Sequence, residues 1–192
     1  MTGTLKTNDQ LFREFRGYLE TLTFIHLDPR LRTAFSMSDI IQNTLLEAWR
    51  DLERVQSLDD AHRKRRLRKM LLHNLLEAID GIVCAKRDRR REQSLEAAAA
   101  ESSCRLRGAL AVEDTPPLDR LVREEERLRL LEALAKLDPR QREALILHKY
   151  HDWTLAQIAK HLGCTIGVVA GLHARGLKKL REHLTAIGVN HA

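Results

Sequence analysis

Leu11, Phe15, Tyr18 and Leu22 recur at helical spacing, with Phe12 and Leu19 widening the stripe, so the chain opens on an amphipathic helix. In HLDPRLRTAF, Asp28 precedes Pro29, a cap followed by proline at the first helical position. SMSDIIQNTLLEAWRDLERV places Ser36 three residues before Asp39, a helix start, and puts Ile41, Leu45, Trp49 and Leu52 on one face. Asp39, Gln42, Asn43, Glu47 and Arg50 face elsewhere. Beyond the polar turn QSLDDA, HRKRRLRKMLLHNLLEAIDGIV predicts a further helix. Leu67, Met70, Leu71, Leu75, Ala78, Ile79 and Ile82 form its apolar side, and Arg65, Arg66, Lys69 and His73 the other.

Residues 95–118, LEAAAAESSCRLRGALAVEDTPPL, carry little periodicity and combine an alanine run with Gly and a proline pair, which predicts a linker whose first part stays helical. Register returns in LDRLVREEERLRLLEALAKL, where Leu121, Leu128, Leu131 and Ala135 keep a helical stripe widened by Leu134. The tetrapeptide LDPR then recurs, Asp138 and Pro139 repeating the cap chemistry of Asp28 and Pro29 without any flanking similarity. In TLAQIAKHLGCTIGVVAGLHARGLKKLREHL, Thr154 caps a short helix whose Leu155, Ile158, Ala159 and Leu162 turn inward. Gly163 supplies a left-handed turn and Thr165 caps the next helix, whose inner face is Val169, Leu172, Gly176 and Leu180. That is a helix-turn-helix. The expected fold is all-α: helical domains at 8–95 and 119–187, the second containing the helix-turn-helix, joined by a flexible linker at 96–118.

Charge narrows the function. The 192 residues carry a formal net charge of +6, with only 4% aromatics, and such a chain attracts a polyanion. The positive residues are concentrated: KRDRRRE at 86–92 follows the basic face of Arg65, Arg66 and Lys69, which points to nucleic acid. No apolar run reaches the roughly 18 residues of a membrane span, and MTGTLKTNDQ lacks the apolar stretch of a signal peptide, so a cytoplasmic protein without a membrane segment is expected. Three scattered cysteines suit a reducing compartment. His148, His151, His161 and Cys164 have donor types that suit zinc, but Cys164 falls in the turn of the helix-turn-helix, where a small apolar group belongs. No acidic cluster for two-metal hydrolysis, phosphate loop or nucleophile motif is present, and no catalytic residue, metal or cofactor is expected.

On these motifs the chain resembles sigma-70 family transcription initiation factors of the extracytoplasmic-function type. SDIIQNTLLEAWRDL resembles the family's second conserved region, and RRLRKMLLHNLLEAI with KRDRRRE its promoter-melting region. LDPRQREALILHKYHDWTLAQIAKHLGCTIGVVAGLHARGLKKL resembles its fourth region. The resemblance implies a non-enzymatic factor that directs bacterial RNA polymerase core to promoter DNA, a monomer when free, open to control by an anti-sigma partner closing on the two domains. Asp39, Gln42, Asn43, Glu47 and Arg50 would dock on the coiled coil of the polymerase clamp. Gln56, Ser57 and Asp59 would hold unstacked bases of the melted element, with Arg65, Arg66, Lys69, Arg89, Arg90 and Arg91 on the adjacent backbone. Residues 165–182 would enter the major groove at the upstream element: Thr165, Gly167, Ala170, Gly171, Arg175, Lys178, Lys179 and Arg181.

The chain departs from the family pattern at two places. Gly167, Gly171, Ala174 and Lys178 lie opposite the core of the second helix, and three of these four have no reach; family members commonly carry a basic or hydroxyl residue near Ala170 and Gly171. An aromatic is common where this chain has Arg66. Gly167, Gly171 and Gly176 together forgo about 3 kcal/mol of helix propensity, a loss that needs a compensating contact. Gly176 would permit close packing. The outward pair would let a bare backbone approach the groove while Thr165, Arg175, Lys178, Lys179 and Arg181 hold phosphates, or would pack on another helix; the cluster of cations favours the first. Two other functions share these features: a helix-turn-helix regulator that binds duplex without polymerase, and a degenerate sigma-like protein that occupies polymerase or an inhibitor without melting DNA.

Overall fold

The structure is a computed structural model and describes residues 8–51, 58–85, 92–111 and 117–186. All regular structure among those residues is helical, with no strand. They divide into two compact units, Met1–Pro117 and Leu118–Ala192.

The first unit contains α1 (Asn8–His26), a 3-10 turn (Pro29–Thr33), α2 (Met37–Arg50), α3 (Asp60–Ala85) and α4 (Glu92–Ala111). Phe15, Tyr18, Leu19 and Leu22 bury one stripe of α1, as its spacing predicts, and Ile25 extends it. The side chains of Leu11, Phe12, Leu52 and Leu121 lie outside the described residues. Asp28 acts as a cap, its Oδ1 accepting from the Arg30 backbone N–H at 2.8 Å, but the element it starts is a five-residue 3-10 turn. Ser36 caps α2 through the backbone N–H of Asp39.

The inner face of α2 is rotated from its predicted position. Ile40, Ile41, Thr44 and Ala48 are buried, Leu45 is half-buried, and Trp49 is 49% exposed. The reason is polar. Thr44 donates to the Ile40 carbonyl at 2.8 Å and accepts from Asn74 Nδ2 at 2.9 Å, so a hydroxyl occupies the crossing with α3 at no hydrogen-bond cost. Small Ala48 continues the same stripe, and the indole is left outside.

Along α3, Leu67, Leu71, Leu72, Leu75 and Ile79 are buried. Arg68 is buried with them and donates to the Ala109 carbonyl at 2.8 Å, tying α3 to the end of α4. The linker expected over 96–118 is corrected for residues 96–111, while 112–116 lie outside the described residues. Through Ala111 the chain is helix, and its Ala98, Ala99, Ser102 and Leu106 belong to the core of the first unit. Ser102 Oγ accepts from the Asp28 backbone N–H at 2.9 Å, Arg105 Nε donates to the His26 carbonyl at 3.3 Å, and Glu101 pairs with Arg30 at 3.0 Å. A stripe of Ala and Ser lets α4 approach closely enough for these bonds, and such residues give almost no amphipathic signal.

The second unit contains α5 (Pro117–Ala135, from Leu118 on), α6 (Pro139–Tyr150), α7 (Leu155–Leu162) and α8 (Ile166–Ala186). Leu128, Leu131, Ala133 and Leu134 are buried on α5. Asp138 caps α6 with Pro139 in the first turn, as predicted. Six of the twelve residues of α6 are buried, Gln141 and Arg142 among them, so α6 is the axis of the unit. Arg142 donates from Nη1 to the Ala135 carbonyl at 3.3 Å. Among the described residues no single helix is long and apolar enough to cross a membrane.

Candidate nucleic-acid interface

The helix-turn-helix forms as its caps require. Thr154 Oγ1 accepts from the Gln157 backbone N–H at 3.3 Å, and Gln157 Oε1 accepts from the Thr154 N–H at 2.8 Å, a reciprocal box that fixes the start of α7. Gly163 ends α7 with φ 61° and ψ 40°, a conformation that costs glycine nothing. The chain bends by 103° between α7 and α8, within the range of helix-turn-helix crossings. Thr165 Oγ1 accepts from the Val168 N–H at 3.3 Å and opens α8. Ala144, Leu147, Ile158, Ala159, Val169 and Leu172 are buried together, with Trp153, Leu155, Leu162 and Cys164 packed around them.

Three of the four donors that suit zinc by type are engaged in separate contacts. His148 Nδ1 lies 2.9 Å from the Trp153 carbonyl and His161 Nε2 lies 3.3 Å from Glu143, while Cys164 packs on the apolar cluster. The rings of His148 and His173 meet edge to face, with centroids 4.9 Å apart. Burial first, then the neighbouring His148 and Lys149, push His173 below the ordinary histidine range.

The three glycines of α8 have different surroundings. A Cβ on Gly176 would lie 3.1 Å from Leu145 Cδ1 and 3.2 Å from Gln141 Cβ, so this glycine lets α8 close on α6. One on Gly167 would meet only Thr165 Oγ1 at 4.0 Å, and Gly167 is exposed. One on Gly171 would meet the Arg175 guanidinium at 3.1 Å, because Arg175 folds back over its own helix. Thr165, Ala170, Arg175, Lys178, Lys179 and Arg181 are all exposed. Sequence reasoning passed over two neighbours: Ile166 is 53% and Val168 43% exposed. The register of buried Val169 and Leu172 leaves both outside the core. The arrangement is a helix with a small, apolar leading surface and a cationic trailing one.

These features have a counterpart among known families. Residues 127–180 match the family model for sigma-70, region 4. The match lies wholly within the second unit and contains α6, α7 and the first turns of α8. No curated protein and no solved structure matches the chain. Sigma-70 region 4 is a helix-turn-helix domain, and similarity to it implies a promoter-binding role and contact with core RNA polymerase. Within the sigma-70-like region, the exposed cations from Arg175 to Lys179 lie on the helix that such a role would place against duplex DNA.

In the first unit, α2 presents Asp39, Gln42, Asn43, Glu47 and Arg50 on one exposed surface, with Leu46 at 56% and Trp49 at 49% exposure among them. Asn74 Nδ2 reaches Glu47 at 3.4 Å from α3. On α3, Lys69 is exposed, whereas Arg65 and Arg66 are half-buried and Arg66 is paired with Asp51. Asp59 is exposed and bound to the start of α3: its oxygens meet the His62 backbone N–H at 2.8 Å and His62 Nδ1 at 2.7 Å. Those two bonds hold its carboxyl below the usual carboxylate range. Gln56, Ser57, Arg89, Arg90 and Arg91 lie outside the described residues.

Proposed function

We propose that this protein is a sigma factor of the extracytoplasmic-function type, which brings bacterial RNA polymerase core to promoters through two separately folded helical units. The observation that carries the reading is the sigma-70 region 4 match over a helix-turn-helix whose second helix turns exposed cations outward. The exposed polar surface of α2, with Leu46 and Trp49 set into it, supports polymerase docking. An exposed tryptophan and leucine ringed by polar residues match the anatomy of a protein interface, an apolar anchor inside a polar rim. In this reading Lys69 and the basic run at 86–92 follow the backbone of the melted strand, and an anti-sigma partner regulates the factor in the cytoplasm.

The pairing of Arg66 with Asp51 favours a second reading, an interaction-only relative that occupies polymerase without opening DNA, because a cation already neutralised contributes less to holding a strand. Transcription reconstituted from the chain, core polymerase and a genomic template library separates the two. Chain-dependent initiation at a discrete set of start sites is expected; assembly with core but no start site above background would establish the second reading instead.

A further inference from the structure

Side chains at Ile166, Gly167, Val168, Ala170, Gly171 and Ala174 offer no hydrogen-bond donor or acceptor, so these positions cannot read a base by paired hydrogen bonds. They are nevertheless the outward residues at the start of α8: Gly167, Ala170 and Ala174 are exposed, and Ile166 and Val168 expose about half of their surface. Two residues apart on the helix, Ile166 and Val168 do not share a face; they flank the small outward stripe of Gly167, Ala170 and Gly171, one aliphatic side chain on either side of it. The charge on the same helix says what this surface meets. Arg175, Lys178, Lys179 and Arg181 are exposed within the following turns against one carboxylate, Glu182, so the surface fits an apolar feature embedded in a polyanion.

The major groove of duplex DNA has one such feature, the C5-methyl group of thymine. We infer that Ile166 and Val168, at the leading turn of α8, select the upstream element by contact with thymine methyl groups, while Arg175, Lys178, Lys179 and Arg181 hold the flanking phosphates. The inference rests on the proposal that α8 enters duplex DNA and deepens it by naming what is read. Gly167, Ala170 and Gly171 bring the backbone close enough for short aliphatic side chains to reach the groove floor, which explains a helix that sacrifices propensity on its outer face. Arg175, folded over Gly171, is free to swing to a phosphate as that face is covered, since only a flexible side chain occupies the space.

The test uses four duplex probes in which the methyl group is the variable: alternating copolymers of A with T, A with U, G with C, and G with 5-methylcytosine, which carries its methyl at the same groove position. Binding of the full-length chain, alone and assembled with core polymerase, is measured by anisotropy over a salt series. The A–T duplex should bind about fourfold tighter than A–U for each methyl reached, and 5-methylcytosine should restore part of that gain in the G–C background. The double variant Ile166→Ser with Val168→Ser should erase the preference while leaving the salt slope and the far-UV helical signal unchanged. Equal affinity for methylated and unmethylated probes overturns the inference and leaves the DNA-binding reading intact. Absence of salt-dependent binding to every probe, in both forms, overturns both. Loss of core assembly in the serine variant would assign the patch to a protein contact and overturn the inference alone.

Discussion

Three glycines in one helix show how far a single atom's surroundings decide a residue's role. Gly176→Ala should destabilise the second unit by about 1–3 kcal/mol, because the added methyl meets Leu145 and the backbone side of Gln141 in a closed space. Gly167→Ala, with open space around it, should stabilise the same unit by up to about 1 kcal/mol. Urea unfolding of the two full-length variants against the parent checks both signs. The packing role of Gly176 was legible in the sequence because it falls in register with Val169 and Leu172. The exposure of Ile166 and Val168 follows from the same register, but a search for polar side chains able to read a base passes over apolar ones.

At the same scale, His173 ties stability to pH. Its pKa is depressed below the ordinary value of 6.5, chiefly by burial and then by His148 and Lys149, so the unfolded chain binds the proton more readily than the folded one. The stabilisation is therefore complete above pH 6.5 and is lost as pH falls through the depressed folded value. Thermal melts between pH 7.5 and pH 5 should show a falling midpoint, and His173→Gln should reduce that slope.

Helices were predicted well where a stripe of large apolar residues met a cap, and poorly where small or polar residues made the contact. The boundaries of α7 and α8 follow from Thr154, Gly163 and Thr165, whose hydrogen bonds and dihedral form as their residue types require. Thr154→Ala should cost the second unit about 1 kcal/mol, measurable as a shift in its urea midpoint. By contrast, α4 reads as a linker because its buried side is Ala98, Ala99 and Ser102, and α2 is misphased because Thr44 and Ala48 line its crossing. A buried hydroxyl is invisible to a hydrophobic pattern unless its partner is known. Ser102→Ala strands the buried N–H of Asp28 and should cost about 1–3 kcal/mol. The same variant should be cut faster than the parent within 92–111 under limited proteolysis.

For the whole molecule, a net charge of +6 predicts attraction to a polyanion but not its site, and the fold divides that charge unequally in use. Arg66 and Arg68 are tied to Asp51 and the Ala109 carbonyl, whereas Lys178, Lys179 and Arg181 are exposed on one helix. Lys178→Ala with Lys179→Ala should weaken duplex binding across sequences and lower the salt slope by up to about two. Gly171→Arg should strengthen duplex binding across sequences by adding a cation beside Arg175, and should reduce the preference for methylated probes because its bulk holds the backbone of α8 away from the groove floor.

The central claim is that one helical unit docks on polymerase while the other meets DNA, and assembly with core polymerase tests it most directly. Sedimentation of the full-length chain with bacterial core should show a one-to-one complex, weakened by charge reversal at Asp39, Glu47 and Arg50 on α2 and indifferent to Lys178→Ala with Lys179→Ala. A chain that stays separate from core polymerase at every ionic strength would contradict the account.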